Sequence, residues 1–217
     1  MINDQNILDT SQAITESDFP IEISKVQFQR DWVFWENYQN RDGKTPQWED
    51  SIKQIISFSD LLTFWQFWNN YYCNKPNNMF FDGDRFVYFF KDKKRIDGLN
   101  LFLKGITPKW EDANNNGGRI LNVLYDIKED HDQFLSEIEK VWLDLVLMLL
   151  GESLPASKHI NGIRFIDKCK HRQKALYRIE LWLNPTINAN LSEIELLKDF
   201  LKSKCESEVE DKPITTQ

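Results

Sequence analysis

Apolar residues along this chain fall mainly into short runs of strand type, with three segments of helical spacing between them. The short runs are rich in aromatic and β-branched residues and are bounded by polar turns, which is typical of strands. We predict strands near 26–38, 52–58, 86–90, 99–103, 119–125, 160–166 and 175–183. Since strands outnumber helices and the helices do not follow every strand, the pattern favours an α+β fold with a mostly antiparallel sheet and helices on one face.

The three helical segments differ in how clearly their ends are marked. Ser59 or Asp60 can cap the first, whose apolar residues follow the helical period as far as Tyr72, and we expect it to end between 73 and 76. The longest helix is predicted at 134–150, and the third at 191–200. The charged residues 91–98, between two strands, predict a hairpin turn.

One folded domain fits the length of 217 residues. Residues 1–24 are polar and acidic without a sustained period, so we predict a flexible N-terminal tail. Little strand-forming sequence follows the third helix, and we predict a second flexible tail at 205–217. The domain itself is expected at 25–204.

The formal net charge of −7 argues against a protein that coats nucleic acid through a broad basic surface. The cysteines form no CxxC pair and no zinc-ligand spacing appears, so we expect free thiols and no metal or other cofactor. The chain starts without a basic, apolar leader, and no uncharged run approaches the roughly 20 residues of a membrane span. We expect a cytosolic protein, with the nucleus as a second compartment.

Motifs of catalysis are incomplete in this sequence. Gly-Lys-Thr at 43–45 resembles the end of a phosphate-binding P-loop, but the first glycine of that motif would fall at Tyr38 and no helical pattern follows. Gly-Glu-Ser at 151–153 is not a nucleophile elbow, because position 155 is proline and no strand precedes it. We therefore expect a binding protein without catalytic residues.

The loop from Gly105 to Arg119 is the most informative stretch, and it contains Trp110, Glu111 and Asp112. Its proline pushes the preceding residue away from helical geometry, and the Asn- and Gly-rich part at 114–118 allows left-handed backbone. An aromatic ring, a carboxylate and an arginine around a tight turn can hold a flat, donor-rich, anionic ligand. The alternative is a surface loop whose Trp110 packs under the fold.

The triplet Trp-Glu-Asp occurs twice, at 48–50 and at 110–112, each time after a loop that contains proline. Trp48 and Trp110 could face each other and sandwich one planar cationic ring, because the indole face is electron-rich. Glu111 could then accept hydrogen bonds from the ring edge. Guanine fits, since its N1 and N2 are adjacent donors and a carboxylate offers two parallel acceptors. A triplet this short also recurs by chance.

The densest basic segment of the chain lies between 168 and 178. Its basic residues are Lys168, Lys170, His171, Arg172, Lys174 and Arg178. Local charge of this kind binds phosphate even when the net charge of the protein is negative. The alternative is a solvated hairpin.

The longest helix carries more apolar surface than one buried face requires. One stripe consists of Ile138, Val141, Trp142, Leu145 and Leu149, and a second consists of Leu143, Leu147 and Leu150. Excess apolar width on a surface helix suggests a docking face for an amphipathic partner helix. The alternative is that the second stripe also belongs to the core.

These features together resemble the eukaryotic translation initiation factor 4E family, which binds the 7-methylguanosine cap at the 5′ end of mRNA. The matching signatures occur in the family's order between residues 28 and 202. They are Trp32 with Trp35, the helix with Phe64 and Trp65, 105–112 with 117–119, 142–152, and Trp182. The resemblance implies a curved antiparallel sheet whose concave face holds the cap and whose convex face carries three helices.

The resemblance also implies roles for single residues. Trp48 and Trp110 would stack on the methylated guanine, and Glu111 would bind its N1 and N2 edge. Trp182 would contact the methyl group. The phosphate bridge would be bound, directly or through water, by Arg119, Lys168 and Arg178.

On the helical face, the resemblance implies binding of a motif with Tyr, four variable residues, Leu and an apolar residue. The scaffold factor of the initiation complex and its competing repressors carry this motif. The contacts would come from Leu61, Trp65, Leu143, Asp144 and Leu147.

The chain departs from the family at Val26 and Gln27, where His and Pro are usual, on the surface expected to bind the scaffold. We expect a monomer that binds capped mRNA and recruits the scaffold. A cap-binding repressor that does not recruit it, and a peptide-binding module without cap affinity, are the alternatives.

Overall fold

The computed structural model describes residues 22–40, 51–71, 81–82, 85–86, 94–127, 131–169 and 175–215. The strands in these ranges are β1 (Gln27–Asn40), β2 (Ile52–Asp60), β3 (Phe81–Asp82), β4 (Arg85–Phe86), β5 (Lys94–Leu103), β6 (Arg119–Ile127), β7 (Ile160–Asp167), β8 (Ala175–Leu183) and β9 (Val209–Pro213). The α-helices are α1 (Leu61–Asn70), α2 (His131–Leu150) and α3 (Leu191–Cys205). None of the described helices is long and apolar enough to cross a membrane.

Seven strands form one curved sheet in the order β2-β1-β5-β7-β8-β6-β9, while β3 and β4 form a separate hairpin. Every described strand pair is antiparallel. The predicted fold class, an α+β protein with a curved, mostly antiparallel sheet and three helices on its convex face, is confirmed.

Alternation along the strands separates two faces of the sheet. On β8, Tyr177, Ile179 and Leu181 belong to the main core, which also contains Trp142 of α2 and Leu197 of α3. The residues between them, from Arg178 to Trp182, point to the opposite face because successive side chains of a strand alternate. We call this second face the concave face, and it carries the candidate site.

The first helix begins as predicted and ends earlier. Asp60 caps it, since its carboxylate accepts a hydrogen bond of 2.7 Å from the backbone N–H of Thr63. Tyr71 then leaves the helix with extended backbone, and its hydroxyl donates to the buried carboxylate of Glu36 on β1. This contact draws the chain toward the sheet one turn before the predicted end.

Two smaller predictions are wrong. Part of the predicted turn at 91–98 is strand, because Arg95 finds charged and polar partners within the sheet: Asp167 Oδ2 at 2.6 Å and Gln39. The buried ion pair thus keeps charged residues in a strand whose composition indicated a turn.

The second wrong prediction concerns Leu150, which was assigned to a docking stripe. It is only 3% exposed and belongs to the main core.

The C-terminal segment is a further correction, because 205–217 is not a tail over the described residues. Helix α3 continues to Cys205, whose side chain is buried. Strand β9 then pairs with β6 in register from Val123–Val209 to Arg119–Pro213. Ile214, just after β9, is 2% exposed and packs with Phe102, Ile120 and Trp182. The folded part therefore extends at least to Ile214, whereas most of the predicted tail at 1–24 lies outside the described residues.

Replacement of Ile214 by alanine tests whether this end of the chain is folded. Removal of a buried isoleucine side chain loses its transfer free energy and leaves a cavity, so we expect the free energy of unfolding to fall by roughly 2–4 kcal/mol. The measurement is chemical denaturation. Thr215→Ala, at the exposed neighbouring position, is the control and should change stability little. Equal stabilities of the two variants would mean that this end of the chain is a flexible tail, as the sequence predicted.

Candidate functional site

A loop between β5 and β6, residues 104–118, carries the predicted Trp110 and Glu111. Its backbone turns at Gly105, where φ is +89°, a conformation that side chains with a Cβ rarely adopt. At its other end, a Cβ on Gly118 would lie 2.0 Å from the carbonyl oxygen of Leu183. Glycine is therefore required where the loop returns to the sheet and passes close to β8.

The carboxylate of Asp112 organises the middle of this loop. It accepts hydrogen bonds from the backbone N–H of Thr107 at 2.8 Å and from the backbone and side-chain amides of Asn114 at 2.9 and 3.0 Å. Burial would raise the pKa of Asp112, but these hydrogen bonds outweigh it and lower the pKa below its ordinary value. The charged form is thus the one that holds the loop.

Asn115 joins the loop to the sheet, and its side chain is fully buried. Its amide nitrogen donates to the carbonyl oxygens of Thr107 and Lys109, both at 2.9 Å, and its amide oxygen accepts from Asn161 of β7 at 2.9 Å. Asn161 also donates to the carbonyl oxygen of Asn114 at 2.8 Å. Both ends of the turn around Trp110 are therefore fixed to β7.

Trp110 itself is 55% exposed, although the residues around it are well anchored. The loop does not bury the ring, so the alternative of a packing tryptophan is excluded. Trp110 and Glu111 border a cavity of about 470 Å³. The other lining residues are Ile120, Lys212, Pro213, Ile214 and Thr215. The cavity thus combines an exposed aromatic surface, an exposed carboxylate and one lysine.

The predicted opposite ring, Trp48, lies outside the described residues. Its position relative to Trp110 stays a prediction, as does a clamp made by the two rings.

Trp182 lies on the concave face, but its ring is fully buried. It packs in a second, smaller core with Phe102, Ile120 and Ile214, against which Ile106 of the loop also packs. The loop therefore covers this part of the concave face. Trp182 lies in the layer beneath the Trp110 cavity, since Ile120 and Ile214 belong to both. Its contact with a ligand stays a prediction.

Arg119 is not brought to the cavity. Its Nε donates to Asp211 Oδ1 at 2.8 Å, and this hydrogen bond raises the pKa of the guanidinium. Alternation in β6 sends Arg119 and the cavity residue Ile120 to opposite faces. The side chain therefore joins β6 to β9 in the structure, and its role in phosphate binding stays a prediction.

Lys168 and Arg178 do come together on the concave face. The pKa of Lys168 is lowered, first by burial and then by the charge of Arg178 nearby. The guanidinium of Arg178 forms an ion pair of 2.5 Å with Glu180. The remaining basic residues of this segment, 170–174, lie outside the described residues.

Three residues near these cations were missed by the sequence analysis: Asn100, Arg164 and Glu180. All are polar residues at concave positions of their strands. For Glu180, the signal that could have found it is period-2 alternation in β8, where it interrupts the apolar run from Ile179 to Leu183. In the described part of the chain, no group of His, Cys, Asp and Glu residues could hold a metal ion.

The helical face carries the predicted partner-binding residues. Leu61, Trp65, Leu143 and Leu147 are each half-buried and pack at the margin of the main core. Trp68 of α1 and Trp142 of α2 lie with ring centroids 6.5 Å apart, so the two helices are neighbours. Asp144 is paired with Lys204 of α3 at 2.5 Å. The four apolar side chains thus remain partly accessible on adjacent helices.

In comparisons with known proteins, this chain matches the profile of one family. The family profile described as Eukaryotic initiation factor 4E matches residues 27–212. Among curated relatives, Eukaryotic translation initiation factor 4E-2 of Schizosaccharomyces pombe is 31% identical over 156 residues, which cover 71% of this chain and 52% of that protein. Eukaryotic translation initiation factor 4E of Dictyostelium discoideum is 29% identical over 145 residues, 66% of this chain and 48% of that protein. The chain thus matches about half the length of these two relatives.

A solved structure gives the same fold. The Schistosome protein eIF4E, crystallised with m7GpppG and 4E-BP, superposes with a TM-score of 0.62 at 19% identity. The superposition covers 87% of this chain and 88% of that chain.

Asn115→Asp tests whether the buried amide holds the Trp110 loop. The variant keeps the shape of the side chain, but it places a carboxylate against two carbonyl oxygens that have lost their donor. We expect the free energy of unfolding to fall by about 3 kcal/mol or more, because two buried acceptors and a buried charge are left without partners. Denaturation measured by intrinsic fluorescence reports the change.

Asn116→Asp is the matched control, since it makes the same charge change at the next, exposed position. Equal stability of the two variants would contradict the assignment of Asn115 as the anchor.

Proposed function

The chain belongs to the eukaryotic initiation factor 4E family, a family of translation initiation factors and not of enzymes, and from this we propose that it binds the 7-methylguanosine cap of mRNA. The single observation that carries the proposal is the exposed ring of Trp110 beside Glu111 on an anchored loop. A preorganised ring loses little conformational entropy when a base stacks on it, so more of the stacking free energy appears as affinity.

Stacking supplies the first part of recognition. One aromatic side chain contributes roughly 1–3 kcal/mol on a nucleobase, and a desolvated cationic ring adds about 2 kcal/mol. Methylation at N7 gives guanine this positive charge, so an indole face prefers the methylated base. In the proposal, Trp110 provides one face and Trp48 the other, and Trp182 contributes from the layer below.

Glu111 gives the site its preference for guanine. A carboxylate at the ring edge accepts from N1–H and N2–H in parallel, which adenine cannot satisfy. The phosphates of the cap would extend across the concave face toward Lys168 and Arg178. Arg119 pairs with Asp211 on the opposite face of the sheet, and it would contribute only after it leaves Asp211 and turns around the end of β6.

We further propose that the face of α1 and α2 binds an amphipathic helix of a partner. The half-buried side chains of Leu61, Trp65, Leu143 and Leu147 support this, because together they offer an apolar strip on two adjacent helices. In the Schistosome structure the family member was complexed with 4E-BP. We infer that the partner class is the initiation scaffold or its competing repressors, and we propose the cytosol, with the nucleus as a second compartment, as the site of action.

The finer choice is between recruitment of the scaffold and repression. Recruitment is the main proposal. The pair between Asp144 and Lys204 favours the alternative of a repressor, because a lysine already neutralises the carboxylate that would attract a basic partner residue. Translation of a capped reporter in extract depleted of its own cap-binding factor separates the two: a recruiter restores output, and a repressor lowers it further.

Trp110→Ala tests the cap site. We expect wild-type protein to be retained on immobilised 7-methylguanosine diphosphate, and the variant to bind at least tenfold more weakly, since one stacking face is lost. Trp65→Ala is the control, because it removes the same side chain on the opposite side of the sheet. An unchanged affinity of Trp110→Ala would refute the site.

Trp65→Ala tests the helical face in turn. We expect binding of a synthetic peptide with the Tyr, four variable residues, Leu, apolar motif to fall at least tenfold, as is typical of an aromatic hot spot. Fluorescence anisotropy of the labelled peptide measures it. Leu62→Ala, an exposed leucine of the same helix outside the proposed strip, should leave the affinity unchanged; equal losses in both variants would mean that the helix as a whole is disturbed.

A further inference from the structure

A row of polar residues crosses the concave face at right angles to the strands. Cross-strand pairing places its members side by side on neighbouring strands, from β1 to β9. The row starts beside Trp35 of β1, whose carbonyl oxygen accepts a hydrogen bond from Asn100, and its polar side chains are Asn100, Arg164, Glu180, Asn122 and Glu210. Asn100, Glu180 and Asn122 are at most 4% exposed, so the centre of the row is buried polar structure and not a solvated surface.

Glu180 is the centre of this row, and both of its carboxylate oxygens are occupied. Oε1 pairs with Arg178 at 2.5 Å. Oε2 accepts from the indole Nε1 of Trp182 at 2.9 Å and from Arg164 at 3.3 Å. One buried carboxylate therefore holds two arginines and the edge of a tryptophan.

Arg164 is fixed from its other side. Its Nε donates to Asn100 Oδ1 at 2.7 Å, and Asn100 donates in turn to Asn37 Oδ1 at 2.6 Å. The guanidinium carbon lies 5.4 Å from the centre of the Trp182 ring, within cation–π distance. Trp182 is thus held at its edge by Glu180 and on its face by Arg164.

The charges in this region nearly balance before any ligand binds. Three cations, Lys168, Arg164 and Arg178, lie near two carboxylates, Glu180 and Asp97. Burial and the charge of Arg178 lower the pKa of Lys168. The charge of Glu180 raises it by a smaller amount, so the net shift is downward. Burial raises the pKa of Asp97, whereas Glu180 forms ion pairs with two of the three cations, Arg178 and Arg164. Glu180 is the main internal counter-charge of the proposed phosphate site.

We propose that Glu180 is a positioning and specificity residue of the concave site: it competes with ligand phosphate for Arg178 while it holds the indole edge of Trp182. The proposal rests on the proposed function, because it concerns a nucleotide that stacks on Trp110 and extends its phosphates toward Arg178. A phosphate must displace or share the carboxylate to reach this guanidinium. Binding therefore depends more on the base, and less on the number of phosphates, than it would without Glu180.

A purely structural role makes a different prediction. If Glu180 only stabilised the fold, its neutralisation would weaken binding of a nucleoside and of its diphosphate in the same proportion. Competition for Arg178 instead changes the ratio between the two affinities, because only the diphosphate reaches that residue. The ratio also cancels any partial loss of folded protein.

The experiment measures dissociation constants of wild type and Glu180→Gln for 7-methylguanosine and 7-methylguanosine diphosphate by tryptophan fluorescence, at several salt concentrations. Glutamine keeps the size of the side chain and an acceptor for Trp182, but it removes the charge. We expect the preference for the diphosphate over the nucleoside to rise by about three- to tenfold, as a charge-assisted bond becomes available to phosphate. The affinity for the diphosphate should also depend more steeply on salt.

Glu208→Gln is the matched control. It removes the same charge from an exposed side chain after α3, where Glu208 pairs with Lys202 and not with Arg178 or a residue of the Trp110 cavity, and it should leave the preference unchanged. A preference in Glu180→Gln that equals that of Glu208→Gln or of wild type overturns the proposal.

A second variant covers the case in which Glu180→Gln does not fold. Glu180→Asp keeps a buried negative charge for Arg164 but shortens the side chain by one methylene group, which weakens its contact with Arg178. A smaller rise in diphosphate preference is expected, and no rise in the folded variant overturns the proposal.

The cap proposal fails separately. It fails if wild type binds guanosine diphosphate as tightly as 7-methylguanosine diphosphate. In that case the role of Glu180 is tested with unmethylated compounds, by the ratio of the affinities for guanosine diphosphate and guanosine. Wild type that binds none of these compounds contradicts both proposals.

Discussion

The buried side chain of Asn115 is the contact on which the proposed site depends. It satisfies two carbonyl oxygens of the loop and accepts a hydrogen bond from Asn161, so it joins the loop to the sheet with one amide. No apolar side chain could replace it, because the carbonyl oxygens it satisfies would be left buried without donors. With the loop fixed in this way, Trp110 can remain exposed without becoming mobile.

The same loop closes the concave face over a second core. Ile106 packs onto Phe102, Ile120 and Trp182, and Ile214 completes the group from the C-terminal end of the chain. The outer surface of this core forms part of the Trp110 cavity. The polar row centred on Glu180 begins where this apolar group ends. The concave face is thus divided into an apolar part beneath the base site and a charged part where phosphates would lie.

The elements that could be predicted from sequence are those whose pattern is local. The boundaries of β8 agree with the run from Ala175 to Leu183, and the cap at Asp60 agrees with the start of α1. Strand β9 could not be predicted in this way, because Val209–Pro213 is mainly polar and is a strand only through its pairing with β6. The partner of Arg119 was missed for the same reason, since Asp211 lies in that strand. Trp110 was recognisable from its motif, but Glu180 also depends on Arg164 of the neighbouring strand β7, which sequence spacing does not bring next to it.

The central claim is that an exposed tryptophan on an anchored loop selects a methylated, positively charged guanine. The most direct test is a fluorescence titration of the unmodified protein with 7-methylguanosine diphosphate and with guanosine diphosphate under identical conditions. We predict quenching by both compounds and a dissociation constant at least tenfold lower for the methylated one, since a cation on an indole face adds about 2 kcal/mol. Equal dissociation constants for the two compounds would contradict the account.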